Sequence, residues 1–570
     1  MDDRLLEPLK FYEGQGKQEH HDNVEAHFSS LTETSQVDVE ANRETIAKWR
    51  EEQQKISELS KIISKFKIFR GLLIFGIIVG VVLTIASFGT FSESTGTGVL
   101  MLLGGAAVLA GSIVALVKKV NPVIRETDRV LQEHKAEAKR LENEGWEQMA
   151  PLNALFTDYD AVRLVEKTLP DFAFEKNFSK EQERFFVEQY DFYDMQDDEC
   201  SMIDTLSGKY AGNPFLFGRR RVHRMGTQVY HGSLRITWTE TYRDSQGNLC
   251  TREKSQTLHA SVTKPKPFYH INTFLAYGNQ AAPHLTFSRQ SKHIENLSEK
   301  ALEKRIHKGE RKLQKQAEKA IKNGGTFQEM ANSEFDVLFG ATDRDNEVEF
   351  RFMYTPLGQR STVALLKDSN NFGDDFDFIK QGKCNVIISD HAQNWKMSVF
   401  ASDYKHFNYD EIHSRFVTLN DTFFKSVFFD FAPLFSVPAY LDEPCASLED
   451  DSPYSTNYTY YEHEVMSNAL GYQSFAHEDS CTEAILKTQA LHAQSGNDLV
   501  AVTAYSYMGV DRIDLIPVKG GDGNYHNVPV PWIEYIPLSK TTHINVGSAS
   551  NPGEDAEICY HDLTAGIIKG

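Results

Sequence analysis

Residues 71–117 contain two runs without a charged residue, Gly71–Phe88 and Gly98–Val117, separated by the polar stretch Ser92–Thr97. A helix rises about 1.5 Å per residue, so about 20 apolar residues cross a hydrocarbon layer of about 30 Å. The first run reaches that length by taking in Ile68 and Phe69 before it and Gly89–Phe91 after it. Arg70 then lies near one end, where its long side chain reaches the headgroups. The short polar connection makes the two helices antiparallel neighbours. A buried helical hairpin in a soluble core fits poorly with the charge clusters that flank both runs. A cleaved leader fits poorly too, because about 65 mostly polar residues precede the first run. The sequence therefore predicts transmembrane helices over 68–91 and 97–117.

Lys61, Lys65, Lys67 and Arg70 precede the first run, and Lys118 and Lys119 follow the second, while the connection carries only Glu93. Positive charge beside a membrane end stays cytoplasmic, so a multi-pass cell-membrane protein with both termini inside is expected. Gly76 and Gly80 stand in GxxxG spacing, and Gly104, Gly105 and Gly111 form a second small-residue face. Such faces let helices approach closely, here within one hairpin in preference to a homo-oligomer formed through it. Neither span holds an ionisable residue beyond Arg70, which argues against an ion or proton pathway. Trp49, Ile56, Leu59, Ile63 and Phe66 before the membrane, and Ile124, Leu131, Ala138 and Leu141 after it, recur at coiled-coil intervals. A coiled helical stalk over 36–67 and 121–145 is the expectation, with Pro122 in a helix first turn. Residues 1–35 are acidic and uncapped and are expected to be disordered.

The net charge of −20 is uneven: Phe431 to the end carries 19 Asp/Glu against 5 Lys/Arg, and Lys292–Lys322 carries 10 Lys/Arg against 5 Asp/Glu. The acidic end repels nucleic acid and anionic headgroups, so nucleic acid is not an expected partner. The bilayer is, together with cytoplasmic proteins. The six cysteines are scattered without a CxxC, which suits a reducing compartment.

Beyond the stalk the chain reads as an α+β protein: a mostly antiparallel β domain follows the hairpin and stalk, then a mixed α+β C-terminal region. Ala154 to about Glu188 is expected to be helical with a break at Pro170, inside a helix-plus-β domain over 150–290. Tyr230, Leu234, Ile236 and Trp238 alternate with polar residues, and the turn 244–248 leads to a returning strand that should stop at Pro265 and Pro267. A basic helix over 291–323 has only a narrow apolar stripe, Leu302, Ile306, Leu313, Ala317 and Ala320. It reads first as a solvated connector, then as a helix on anionic lipid, and last as a nucleic-acid contact. Over 325–570, DFDFIKQGKCNVIIS and WKMSVFAS read as strands, Tyr409–Phe429 as a core helix despite its phenylalanines, and the end as β-rich after a loop at Pro444–Asn457.

No signature of chemistry survives inspection. His463-Glu464 starts like a zinc-protease helix, but Ser467 occupies the second ligand position. There is no GxxxxGK[ST] and no GxGxxG. Asp343–Glu347 starts like a calcium loop, yet Val348 and Tyr354 stand where glycine and glutamate are needed. Ser474 lacks the second glycine of a nucleophile elbow. Asp390-His391 and Glu462-His463-Glu464 are two of the places where carboxylate and imidazole adjoin, and either would serve as a general-base dyad beside a nucleophile. No residue is assigned as catalytic, and no metal or cofactor is expected.

YHGSLRITWTETYRDSQGN and the chain onward to Arg289, with FDVLFGATDRDNEVEFRFMYTPLGQ, FGDDFDF and SDHAQNW after it, resemble a family of bacterial two-span membrane proteins with large cytoplasmic regions. The likeness covers about Cys200–Tyr440. It implies location and bacterial origin and no activity. The expected function is a membrane-anchored binding or scaffold module, the alternative a tethered hydrolase whose site gathers distant His, Asp and Glu residues.

Overall fold

The computed structural model describes residues 3–90, 95–192, 198–243, 245–325, 327–394, 396–440, 457–494, 496–550 and 556–568. The chain mixes helix with antiparallel sheet and divides into two compact units. One comprises Val24–Thr157 and Phe400–Leu419, the other Met1–Asn23, Asp158–Val399 and Asn420–Gly570.

The first unit is built on long helices. Val39–Thr90 is one continuous helix. Thr95–Ala115 continues through a widened π turn, Leu116–Val120, into Asn121–Asn153. Pro122 explains the widening: it has no N–H for the carbonyl of Lys118, and its ring crowds that carbonyl. Of the connection, 91–94 lie outside the described residues, and helix has begun by Thr95. Val39–Thr90 packs along both later helices. Ile63, Leu131, Ala138 and Leu141 are buried, and His134 Nδ1 lies 2.6 Å from Glu52 across the pair. Trp49 meets Phe407 edge-on, 5.2 Å between ring centres.

The second unit holds both sheets. The seven-stranded sheet comprises β1 (Phe172–Glu175), β2 (Cys200–Tyr210), β3 (Asn213–Arg243), β4 (Leu249–Gly278), β5 (Thr286–Arg289), β6 (Phe376–Gln381) and β7 (Cys384–Ser389), in the order β1-β2-β3-β4-β7-β6-β5. The five-stranded sheet comprises β8 (Ile485–Gln494), β9 (Asn497–Lys519), β10 (Tyr525–Ser548), β11 (Ile558–Tyr560) and β12 (Leu563–Ile567), in the order β11-β12-β10-β9-β8. Strands from both sides of the basic helix share the larger sheet, with Leu275 opposite Ile387, so residues 291–323 do not divide one β region from the next.

β3 and β4 run far beyond their other neighbours, since β2 covers β3 only up to Val222 and β7 covers only Leu275–Gly278 of β4. A two-stranded ribbon is marginal alone. This one is backed by the β9–β10 ribbon, with Ile236 and Leu258 buried against Val528. A side chain at Gly232 would strike the Pro529 carbonyl, so the ribbons touch there because glycine has none. The expected stop at Pro265 and Pro267 does not occur. Both prolines pair with β3 on one side, opposite Thr227 and Met225, and the other side of β4 has no ladder there to lose.

Three further expectations are corrected. Residues 3–35, expected to be disordered, are helical. In the second unit Tyr12 packs on Phe429 at 4.8 Å and His20 stacks on Phe424 at 4.1 Å. In the first unit Phe28 lies 5.5 Å from Phe416. A few apolar residues suffice because their aromatic partners lie about 400 positions away, where local composition carries no sign of them. The helix expected around Pro170 is instead two helices, Asp160–Thr168 and Lys180–Tyr190, with β1 between them. The described part of Trp395–Ser402 forms no strand. The loop at Pro444–Asn457 falls outside the described residues except at Asn457.

Candidate functional site

His391 and His463 are the two histidines singled out for their adjacent carboxylates, and neither pairs with its neighbour in sequence as a dyad. Consecutive helical residues point about 100° apart, so Glu462, His463 and Glu464 leave the helix Tyr460–Ala469 in three directions. Glu462 accepts the Phe178 N–H at 2.7 Å, Glu464 accepts the Met202 N–H at 2.8 Å and meets Lys487 at 2.8 Å, and His463 Nε2 lies 3.0 Å from Asp498. Asp498 also accepts the backbone N–H groups of Asn457 and Tyr458. Burial opposes charge on that carboxylate, but His463 and the two N–H donors outweigh it and hold its pKa below the usual range. This is a buried brace between helix and β9.

His391 pairs with Asp375, Nδ1 to Oδ2 at 2.6 Å, and its Nε2 lies 3.5 Å from Asp430. It lies flat on Phe372 with ring centres 3.8 Å apart. Burial works against its charge, but Asp430 and Asp375 outweigh burial and raise its pKa. Burial also raises Asp430, to about 6. Both ring nitrogens face carboxylates, so neither is turned toward a nucleophile.

One cluster escaped sequence reading. Ser398 Oγ lies 2.7 and 2.6 Å from the two Asp204 oxygens and 2.9 Å from His561 Nε2, and that same Nε2 is 3.4 Å from Asp204. The residue types are those of a hydrolase triad, but the roles are not. A triad needs the carboxylate on the far ring nitrogen and a neutral Nε2 facing the serine. Here carboxylate and serine share one nitrogen. Burial opposes the imidazolium, yet Asp204, then Glu462, raise the His561 pKa above its ordinary value. Asp204 thus favours the charged form of His561, and Ser398 bridges the two. Among the described residues, no group of three or more His, Cys, Asp or Glu is arranged to hold a metal ion.

The residues singled out in the apolar runs have definite places. Two helical stretches, Val39–Phe88 and Val99–Asn153, are long and apolar enough to cross a membrane. Leu72, Phe75, Leu100 and Leu103 are each more than 60% exposed, at 61%, 64%, 76% and 64%. Side chains added at Gly76, Gly80 and Gly105 would meet the facing helix: Ser112 at 2.8 Å, Leu109 at 3.0 Å, and Thr84 at 2.8 Å. A side chain at Gly80 would also come within 3.1 Å of the Gly105 carbonyl oxygen, and one at Gly105 within 3.1 Å of the Gly80 carbonyl oxygen. Side chains added at Gly104 and Gly111 would meet nothing within 4 Å, so these two lie off this seam. Lys61, Lys65, Lys67, Arg70, Lys118 and Lys119 are all exposed. No family model, no curated protein and no solved structure matches this chain.

Proposed function

We propose that this chain is a membrane-anchored binding protein. Its two apolar helices cross a cell membrane as an antiparallel hairpin, the charged helical extensions form a coiled stalk, and both termini lie in the cytoplasm with the sheet-bearing unit. The observation that carries this reading is the exposure of large apolar side chains around both helices while Gly76, Gly80 and Gly105 close the seam between them. Hydrocarbon is the solvent that suits such a surface. Orientation rests on the six flanking cations against Glu93 in the connection. The resemblance of Tyr230–Arg289 and Phe335–Gln359 to bacterial two-span proteins points the same way. Binding is favoured over catalysis because the buried histidines act as ion-pair partners and braces.

The chain's thiols test this. Cys481 and Cys559 are exposed, Cys250 is partly so, and Cys200 and Cys384 are buried. In a C445A background, a membrane-impermeant maleimide should label nothing in intact cells. It should label Cys481 and Cys559 once the membrane is permeabilised, and Cys200 and Cys384 only in denaturant. Labelling of Cys481 in intact cells overturns the orientation and places the sheet-bearing unit outside.

A further inference from the structure

The basic helix Glu299–Lys322 sets Lys304, Arg305, Lys308 and Lys312 along one wall of a cleft of about 570 Å³. Steps of four residues keep Lys304, Lys308 and Lys312 on one helical face, with Arg305 three before Lys308 beside them. Lys292 enters the cleft from the chain before the helix, and the short helix Ser333–Phe339 supplies Val337 and Asp336. The walls are fixed to one another where a side chain at Gly309 would collide with Val337. A glycine inside a helix costs about 1 kcal/mol relative to alanine, and here it permits that contact.

The four cations on the cleft's helical wall have no partner among its described lining residues. Asp336 is its sole carboxylate among the described lining residues, and it is taken: Arg344 binds both its oxygens, and the Met330 N–H donates to it at 3.0 Å. Lys304, Arg305, Lys308 and Lys312 have no hydrogen bond or ion pair among the described residues. Lys292 donates to the Val337 carbonyl at 3.3 Å. Burial, then the neighbouring Arg289, pushes its pKa down to about 8, against the pull of Asp374. In a chain of net charge −20, five cations gathered in one cleft with an apolar floor are a costly arrangement without an anion.

We infer that this cleft binds a phosphorylated ligand, its phosphates among Lys304, Lys308 and Lys312 and its apolar body against Leu297 and Leu313. Lysine ammonium groups serve as point charges for phosphate oxygens. From Lys304 to Lys312 the helix rises about 12 Å, room for two phosphates in series. The volume suits a small organic ligand. A soluble phosphate ester and a lipid headgroup present the same chemistry. This site supplies the ligand class of the binding unit, and it stands or falls separately from the anchor because the assay runs in detergent whatever the orientation in cells.

The test is isothermal titration of the full chain in dodecyl maltoside with sodium pyrophosphate and, separately, with dioctanoyl phosphatidic acid. One of the two is expected to bind, with affinity falling steeply from 50 to 300 mM salt. K304Q/K308Q should weaken binding at least tenfold while leaving the melting temperature unchanged, since both side chains are exposed. Pyrophosphate binding identifies a soluble source, and phosphatidic acid binding alone identifies a lipid. Failure of both at millimolar concentration, or equal binding by K304Q/K308Q, overturns the site.

Discussion

The helix Tyr409–Phe435 and the apolar half of Val39–Thr90 carry similar loads of large apolar side chains with opposite surfaces. Phe423, Phe424, Phe428, Phe429, Phe431 and Phe435 are all buried, whereas Phe75, Ile85 and Phe88 are exposed by 64%, 66% and 70%. The buried helix carries polar groups with assigned places: Asp430 faces His391, and Lys425 lies over the Phe372 ring. The exposed one is apolar around its whole circumference, which marks either a deep core or a bilayer. An apolar run becomes a membrane candidate when no face is polar and nothing in the chain covers it. Phenylalanine content alone does not distinguish the two.

Charge placed on the exposed face breaks the comparison most severely. Arginine at the centre of a membrane helix costs about 3 kcal/mol on insertion scales, so Ile78→Arg with Leu103→Arg should cost about 6 kcal/mol. The chain should then move from the membrane pellet to the soluble or aggregated fraction on carbonate extraction. If it stays in the membrane pellet, these helices do not insert. Phe431→Ala should do the reverse. Its ring meets Phe172 at 4.8 Å, Phe215 at 5.2 Å and Phe217 at 5.7 Å. Removing it should cost about 3–5 kcal/mol of folding stability, seen as a lower melting temperature in detergent, with membrane extraction unchanged.

A smaller change sharpens what holds the exposed pair together. Gly80→Ile forces a branched side chain against Leu109 and should cost about 1–3 kcal/mol. Gly111→Ile points into open space and should leave the melting temperature where it was. Should Gly111→Ile instead change the sedimentation state, the second small-residue face joins copies of the chain, and the oligomer reading of the hairpin gains its interface.

What could be read from sequence followed the range of the interactions. The apolar runs, the period-two alternation of Tyr230–Trp238 and the basic helix are local patterns, and each produced its element. The glycines were legible as a class but not one by one: Gly104 and Gly105 look alike in sequence, and only their rotation about the helix separates open space from Thr84. The N-terminal helices were not legible, because their stability comes from rings about 400 residues away. The ion pair of Asp204 with His561, bridged by Ser398, joins three irregularly spaced segments, and no motif marks it. The basic stretch was visible as charge, but the cleft was not. That required seeing Asp336 already bound by Arg344 and so unable to neutralise it.

The smallest effect tests that ion pair. His561 has a raised pKa in the folded chain, so the folded state binds its proton more tightly than the unfolded state does. The stability it contributes is fully present below the ordinary histidine value of about 6.5 and fades as pH climbs through the folded value above it. His391 is raised as well and acts in the same direction, so the native chain carries both contributions. Lys380, His223 and His406, whose pKa values burial lowers, act in the opposite direction in both chains, so His561 is read from the difference between the native chain and a variant. From pH 6 to pH 8 the melting temperature of the native chain should fall relative to that of His561→Gln, which keeps a hydrogen-bonding group near Ser398 and loses the charge. If His561 were a neutral base poised on Ser398, the native chain would show no such relative fall, or would rise relative to the variant. The slope thus decides between a structural ion pair and a serine made ready for attack.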